Sequence, residues 1–157
     1  MNIAIIPSRM KSKRFPGKPI RKIENLEIIN HVYLRSSLSR KLNEVYVATC
    51  DQEIVDAIKK INGKFILTSK KHSNAIDRSF EAINKIIKKK KIKNKKINII
   101  IIQGDEPMVH PKMIQSVISA LKQNKIVNIY SILKSQKDIM DKNRVKVTLD
   151  KAFNATY

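Results

Sequence analysis

Short runs of apolar residues alternate along this chain with stretches in which apolar residues recur every three or four positions. The runs 2–6 (NIAII), 44–49 (EVYVAT), 64–68 (KFILT) and 97–102 (INIIII) have the length and β-branched content of strands. Between them, residues 27–41 place Ile29, Val32 and Ser36 on one helical face. Ile54, Val55, Ile58 and Ile61 form a second stripe, with Asp51 as its candidate cap and Gly63 where the helix would end. From Ile76 onward, Ile76, Phe80, Ile83, Ile86 and Ile87 again recur at helical spacing. Pro111 suits the first turn of a further helix carrying Ile114, Val117, Ile118 and Leu121, and 127–133 and 144–149 have the pattern of two later strands. The 97–102 run is apolar on both faces, which predicts a central strand covered from either side. Strands and helices in this alternation predict an α/β protein built of βαβ units around a mainly parallel sheet.

At 157 residues the chain fits a single domain, 1–157, with enough length to bury a core. Its formal net charge of +20 points at first to nucleic acid. However, most of the 33 basic residues are Lys, in a chain also crowded with Ile and Asn, and only seven are Arg, the side chain whose planar fork grips phosphate. The Lys-rich run 88–96 reads as a solvated helix end and linker, with nucleic-acid binding as the other reading. Aromatic residues are only 5% of the chain, and no RNA-binding motif is interleaved with the cations. The lone Cys50 excludes an internal disulfide and fits a buried thiol in a reducing compartment. The opening residues read as a strand and not as a signal peptide, and the longest apolar run is far too short to cross a bilayer. A cytoplasmic protein with no membrane partner is expected.

Two loops hold the candidate chemistry. After the first strand, IPSRMKSKRFPGKP brings Arg9, Lys11, Lys13, Arg14 and Lys18 into one turn stiffened by Pro16 and Pro19, with Gly17 open to close backbone approach. Such a turn suits a polyphosphate, and its spacing is equally that of cations coating a surface. After the 97–102 run comes QGDEP, where Asp105 is placed to hold a hard cation such as Mg²⁺ and Glu106 to assist it. The same two carboxylates also read as turn formers ahead of Pro107. In an open α/β sheet both loops would lie at the carboxyl ends of strands, where ligands bind. The three histidines lack metal spacing: His31 reads as packing, His110 as a helix starter, and His72 opens the loop HSNAIDR, whose Arg78 could reach a nucleotide. No nucleophile constellation can be assembled.

In combination these motifs resemble a known family. IPSRMKSKRFPGKP is similar to the N-terminal signature of the 3-deoxy-manno-octulosonate cytidylyltransferases, the CMP-Kdo synthetases, close to IPARYxSTRLPGKP. VATCD, HSNAIDR, QGDEP and NRVKVTLD follow in the family's order along essentially the whole chain. The resemblance implies the Rossmann-like nucleotide-diphospho-sugar transferase fold. It implies that Arg9, Arg14 and Lys18 bind the triphosphate of CTP and that Asp105 binds Mg²⁺. It places Gln103 and the 72–78 loop, with His72, Asn74 and Arg78, around the nucleotide, and makes Arg9, Lys18 and Asp105 the catalytic set.

The implied reaction joins CMP to a 3-deoxy sugar acid with release of pyrophosphate, for lipopolysaccharide or surface-sugar synthesis, in a family whose full-length members allow a homodimer. A sialic-acid-type or other sugar nucleotidyltransferase, a basic nucleic-acid-binding protein and a poorly folding fragment are the alternatives. The chain departs from the family where HQSGT(D/E)R becomes HSNAIDR, with Ala75 and Ile76 for Gly and Thr, and where Cys50 replaces an acidic residue. The family also continues beyond position 157, with a second metal-binding aspartate and much of the sugar site. A C-terminally incomplete fold with an open sheet edge is therefore expected.

Overall fold

A computed structural model describes residues 1–11, 15–93 and 96–156. Contacts divide the chain into two compact units, Met1–Ile126 and Val127–Tyr157. The first is built on β1 (Asn2–Pro7), β4 (Glu44–Thr49), β5 (Phe65–Leu67) and β6 (Asn98–Ile101), which form one sheet in the order β5-β4-β1-β6. Every pairing in it is parallel, with Ile3 beside both Glu44 and Ile99. A small antiparallel hairpin, β2 (Lys22–Ile23) and β3 (Leu26–Glu27), precedes α1 (Ile28–Ser37). The remaining helices of this unit are α2 (Gln52–Lys60), α3 (Ala75–Lys90) and α4 (Pro111–Ala120).

β1 is apolar from Ile3 onward because both of its faces are covered. Ala4 and Ile6, with Val45 and Val47 of β4, pack against Ile29 and Val32 of α1, Ile54 and Ile58 of α2, and Ile114 and Ile118 of α4. Ile3 and Ile5 pack on the opposite face against Ala82, Ile83 and Ile86 of α3. A fully buried aliphatic side chain contributes about 1.5–3 kcal/mol relative to exposure, so these two clusters hold the helices to the sheet far more strongly than helix propensity does.

The order of the strands locates the site. From β1 the chain steps outward to β4 and β5, then returns through α3 to β6 on the other side of β1. The winding therefore reverses between β1 and β6, and a crevice opens beyond their carboxyl ends.

Several expectations are corrected. The central strand is β1; β6 ends this sheet among the described residues, leaving Ile99 and Ile101 about two-fifths exposed while Ile100 and Ile102 are buried. In α3, Ile76 and Phe80 are exposed at 70% and 66%, because they lie on the flank that the sheet does not cover. The helix expected over 27–41 starts one residue later and ends at Ser37; Glu27 precedes it, buried, with its carboxylate accepting from Asn30 Nδ2 at 2.8 Å. At the end of α2 the left-handed residue is Asn62 (φ 54°), not Gly63. Gly63 is needed for space, since a Cβ there would lie 2.7 Å from Ile58 Cγ2. Cys50 is half-buried rather than buried.

The unit Val127–Tyr157 holds a five-residue helix, α5 (Gln136–Met140), and one isolated antiparallel bridge, Leu149 to Ala155. Neither 127–133 nor 144–149 is a strand. Ile132 (79% exposed) and Val145 (98%) show the reason: an apolar pattern becomes a strand only where a neighbour pairs with it and a face is covered.

Candidate functional site

A cleft of about 400 Å³ opens beyond β1 and β6, and within the first unit it brings together Arg9, Lys18, Asn74, Arg78, Gln103 and Asp105. That volume is within the range of small-molecule sites, roughly 300–1,000 Å³. Lys11 also lines the cleft, so four cations face one carboxylate. An anion is the ligand such a wall favours.

Each side chain arrives from a definable piece of fold. Arg9 lies two residues beyond the end of β1, after the buried Ser8, and is exposed. Lys18 begins a short 3₁₀ turn, Lys18–Ile20, behind Gly17, whose φ of 71° is a left-handed conformation that suits glycine. The Gly17 N–H donates to the Met10 carbonyl at 3.0 Å and closes the base of the cationic turn. Lys13 and Arg14, which belong to the same turn, lie outside the described residues.

Gln103, Gly104 and Asp105 follow β6. A Cβ on Gly104 would sit 2.9 Å from the Pro7 carbonyl oxygen and 3.2 Å from Ser8 Cβ, so the glycine lets this turn lie against the end of β1. The close approach carries Asp105 to Lys18, whose Nζ is 2.8 Å from Oδ2. Both side chains keep solvent contact, at 34% and 50% exposure, so the pair is available to a ligand. Glu106 is exposed, and its backbone N–H donates to the Gln103 carbonyl in the turn.

The third wall is the start of α3. Asn74 caps the helix, its Oδ1 accepting from the Asp77 N–H at 2.8 Å and its Nδ2 donating to Asp77 Oδ2 at 2.7 Å. The cap points the positive end of a sixteen-residue helix toward the cleft. Arg78 is 2% exposed. Its Nη1 donates to Thr68 Oγ1 at 2.5 Å and, more weakly, to the Ser69 carbonyl at 3.4 Å. A guanidinium has five N–H donors, and no carboxylate among the described residues pairs with this one. A buried cation without an anionic partner, bordering a cleft, is set to receive an anion.

His72 does not line the cleft. Its Nε2–H donates to the Glu81 carboxylate, which also accepts from the Ser69 N–H at 2.9 Å and pairs with Lys85 at 2.7 Å. The Lys85 hydrogen bond, followed by those of Ser69 and His72, outweighs desolvation and brings Glu81 down to about 2. His72 is thereby part of a staple that holds the turn after β5. His110 accepts from the Lys112 N–H at 3.1 Å and starts α4.

Among the described residues, no group of three or more His, Cys, Asp or Glu could hold a metal ion. Asp105 is the one carboxylate among the described residues that line the cleft. That fits Mg²⁺, which keeps several waters and rests on one or two carboxylates together with substrate phosphates. No described helix is long and apolar enough to cross a membrane.

The sequence pattern does not single out Gly104 as a builder of this site; the available signal is a glycine between a strand end and an aspartate.

Known proteins resemble this chain over its whole length. The cytidylyltransferase family model matches residues 3–157. The chain is 36% identical over 159 residues to the 3-deoxy-manno-octulosonate cytidylyltransferase of Thermodesulfovibrio yellowstonii, covering 100% of this chain and 62% of that one. It is 32% identical over 163 residues to the 8-amino-3,8-dideoxy-manno-octulosonate cytidylyltransferase of Shewanella piezotolerans, covering 100% and 64% respectively. Among solved structures, a CMP:2-keto-3-deoxy-manno-octonic acid synthetase complexed with CTP superposes with a TM-score of 0.81 at 28% identity, over 99% of this chain and 62% of that one. The chain thus spans somewhat under two thirds of the length of these relatives. The match of the family model over residues 3–157 makes the chain a member of the cytidylyltransferase family.

Proposed function

We propose that this protein transfers CMP from CTP to a 3-deoxy sugar acid, either 3-deoxy-manno-octulosonate or its 8-amino analogue, and releases pyrophosphate. The observation that carries the reading is the Lys18–Asp105 pair across a cleft that also holds Arg9 and Arg78, which has no carboxylate partner among the described residues. Relatives named for these two sugar acids support the choice of acceptor.

In this reading Arg9 and Lys18 neutralise the triphosphate, while Arg14, outside the described residues, is proposed for the same task. Arg78, Asn74 and Gln103, which line the same cleft, are proposed to border the nucleotide. His72 acts one step removed, by fixing the turn from which Arg78 takes its partners. The anomeric hydroxyl oxygen of the acceptor forms a bond to the α-phosphorus and loses its proton to solvent, and the bond from that phosphorus to the pyrophosphate oxygen breaks. Such a transfer calls for positioning and charge neutralisation more than for a protein nucleophile, and the described lining of the cleft supplies the cations. Asp105 would hold Mg²⁺, which when bound supplies charge neutralisation on phosphate oxygens. A cytoplasmic setting, a homodimer and a product used for lipopolysaccharide belong to the same proposal.

Calorimetric titration with CTP, with and without Mg²⁺, and with RNA at raised salt tests it. The expected result is salt-resistant CTP binding strengthened by Mg²⁺ and weakened at least tenfold (~1.4 kcal/mol) in Arg9→Ala and in Lys18→Ala. Unchanged CTP binding in both variants, or RNA binding that outlasts CTP binding as salt rises, would overturn the assignment.

A further inference from the structure

Asp51 stands immediately before α2, where a short carboxylate ordinarily accepts from the N–H of the second or third helical residue. Here no side-chain cap bond forms. Asp51 Oδ2 instead accepts from the Met10 backbone N–H at 2.7 Å, 41 positions earlier in the chain. A local rule is set aside and a contact in the cationic turn is made in its place, the pattern expected near a functional site.

Met10 is the anchor of that turn. Its N–H goes to Asp51, its carbonyl accepts from Gly17 at 3.0 Å, and its side chain packs against the core cluster beneath α1 and α2. Arg9 precedes this anchor and Lys18 follows its partner Gly17, so one residue ties down both ends of the segment that carries the phosphate-facing cations. Asp51 is itself oriented. Its own N–H donates to Thr49 Oγ1 at 3.1 Å, and the Cys50 thiol lies 3.6 Å from Oδ1. The same edge is tied once more by Ser8, whose N–H donates to the Ala48 carbonyl at 2.9 Å.

We propose that Asp51 is a positioning residue for the triphosphate: acting through the Met10 amide, its carboxylate sets the turn so that Arg9 and Lys18 face the cleft together before the nucleotide arrives. The inference rests on the proposed use of CTP. Binding to a turn already held in place spares the ordering cost that a loose turn would impose on each cation. That saving applies to the phosphates beyond the first, which the turn would grip, and not to the nucleoside, which borders α3.

Three proteins separate the outcomes: the wild type, Asp51→Ala, and Asp51→Asn, whose amide oxygen can still accept from Met10. Amide hydrogen exchange at Met10 is read by NMR, and CTP and CMP affinities by calorimetry with Mg²⁺ present. In Asp51→Ala, exchange at Met10 should accelerate at least tenfold and CTP binding weaken about tenfold, with CMP affinity held within twofold. Asp51→Asn should restore both the protection and the CTP affinity to within about threefold of wild type. Unchanged exchange at Met10 in Asp51→Ala, an equal fall in CTP and CMP affinity, or no restoration by Asp51→Asn would overturn the proposal. A wild type with a protected Met10 amide but no affinity for CTP would instead sink the cytidylyltransferase reading, and the turn's ligand with it.

Discussion

β4 and β6 flank β1 on opposite sides, and each is followed by a turn that carries an aspartate. At the β4 tip Asp51 is half-buried, and its carboxylate is taken up by the backbone of the cationic turn. At the β6 tip Asp105 is exposed, and its carboxylate meets a side chain, Lys18, that a ligand can displace. The turn after β5 resembles the first case, with Glu81 reaching from α3 to the Ser69 N–H and to His72. One half of the sheet's carboxyl edge is thus tied to backbone by internal hydrogen bonds, while on the other half the Lys18–Asp105 pair stays open to solvent. The winding reversal lies on the second side, so strand order and the exposed ion pair coincide.

The contrast is broken most severely at Gly104. Replacing it with Ala puts a Cβ 2.9 Å from a backbone carbonyl oxygen, which cannot swing aside as a flexible side chain would. The β6 turn must lift away from β1, and the Lys18–Asp105 distance must grow. We expect Gly104→Ala to cost about 1–3 kcal/mol of stability, the usual range for overpacking, and to weaken CTP binding as well. Thermal melts and titration on the same samples check it; a variant as stable as wild type that still binds CTP would show that the close approach is not needed.

Next comes Asp105→Asn, which should separate binding from stability. The pair with Lys18 is solvent-exposed, and such pairs contribute about 0–1 kcal/mol, so the melting temperature should change little. The gain in CTP affinity on adding Mg²⁺ should nevertheless disappear, a loss of at least tenfold, or about 1.4 kcal/mol. Retention of that gain would move the cation away from the β6 tip.

Much of the contrast was legible in the residues, and its limits are physical. β4 runs from Glu44 to Thr49 as its pattern predicts, because it is buried on both faces by elements that its own pattern implies. Arg9 and Asp105 could be placed together because parallel strands present their following loops at one edge. The 127–133 and 144–149 segments carry an equally strand-like pattern, yet the pattern records what a segment would bury and not whether a partner stands beside it. Ile76 and Phe80 fail in the same way, on a helix correctly expected but rotated so that Ser79, Ala82 and Ile86 face the sheet. Asp51, Gly104 and His72 were beyond reach for another reason. Their roles depend on close contacts among strand ends, loops and α3, set by register and rotamer, which periodicity does not contain.

The smallest expected effect lies on the satisfied side, at Glu81. Its carboxyl is held at about 2 against an ordinary value of 4.5, first by the Lys85 hydrogen bond and then by the Ser69 N–H and His72. A carboxyl lowered in the folded state stabilises fully above its unfolded value and loses that contribution as pH falls through its folded value. The window here is therefore about pH 4.5 down to about 2. Glu81→Gln should melt below wild type at pH 5, by no more than about 1 kcal/mol since the partners are partly exposed, and the gap should narrow steadily toward pH 2. CTP affinity at neutral pH should fall only modestly, because Arg78 keeps its bond to Thr68 when the turn loosens. A gap that stays constant across the window would mean that the carboxylate charge is not what holds the turn after β5. A CTP loss as large as that of Asp105→Asn would mean that the two halves of the edge do not divide their work as their hydrogen bonds indicate.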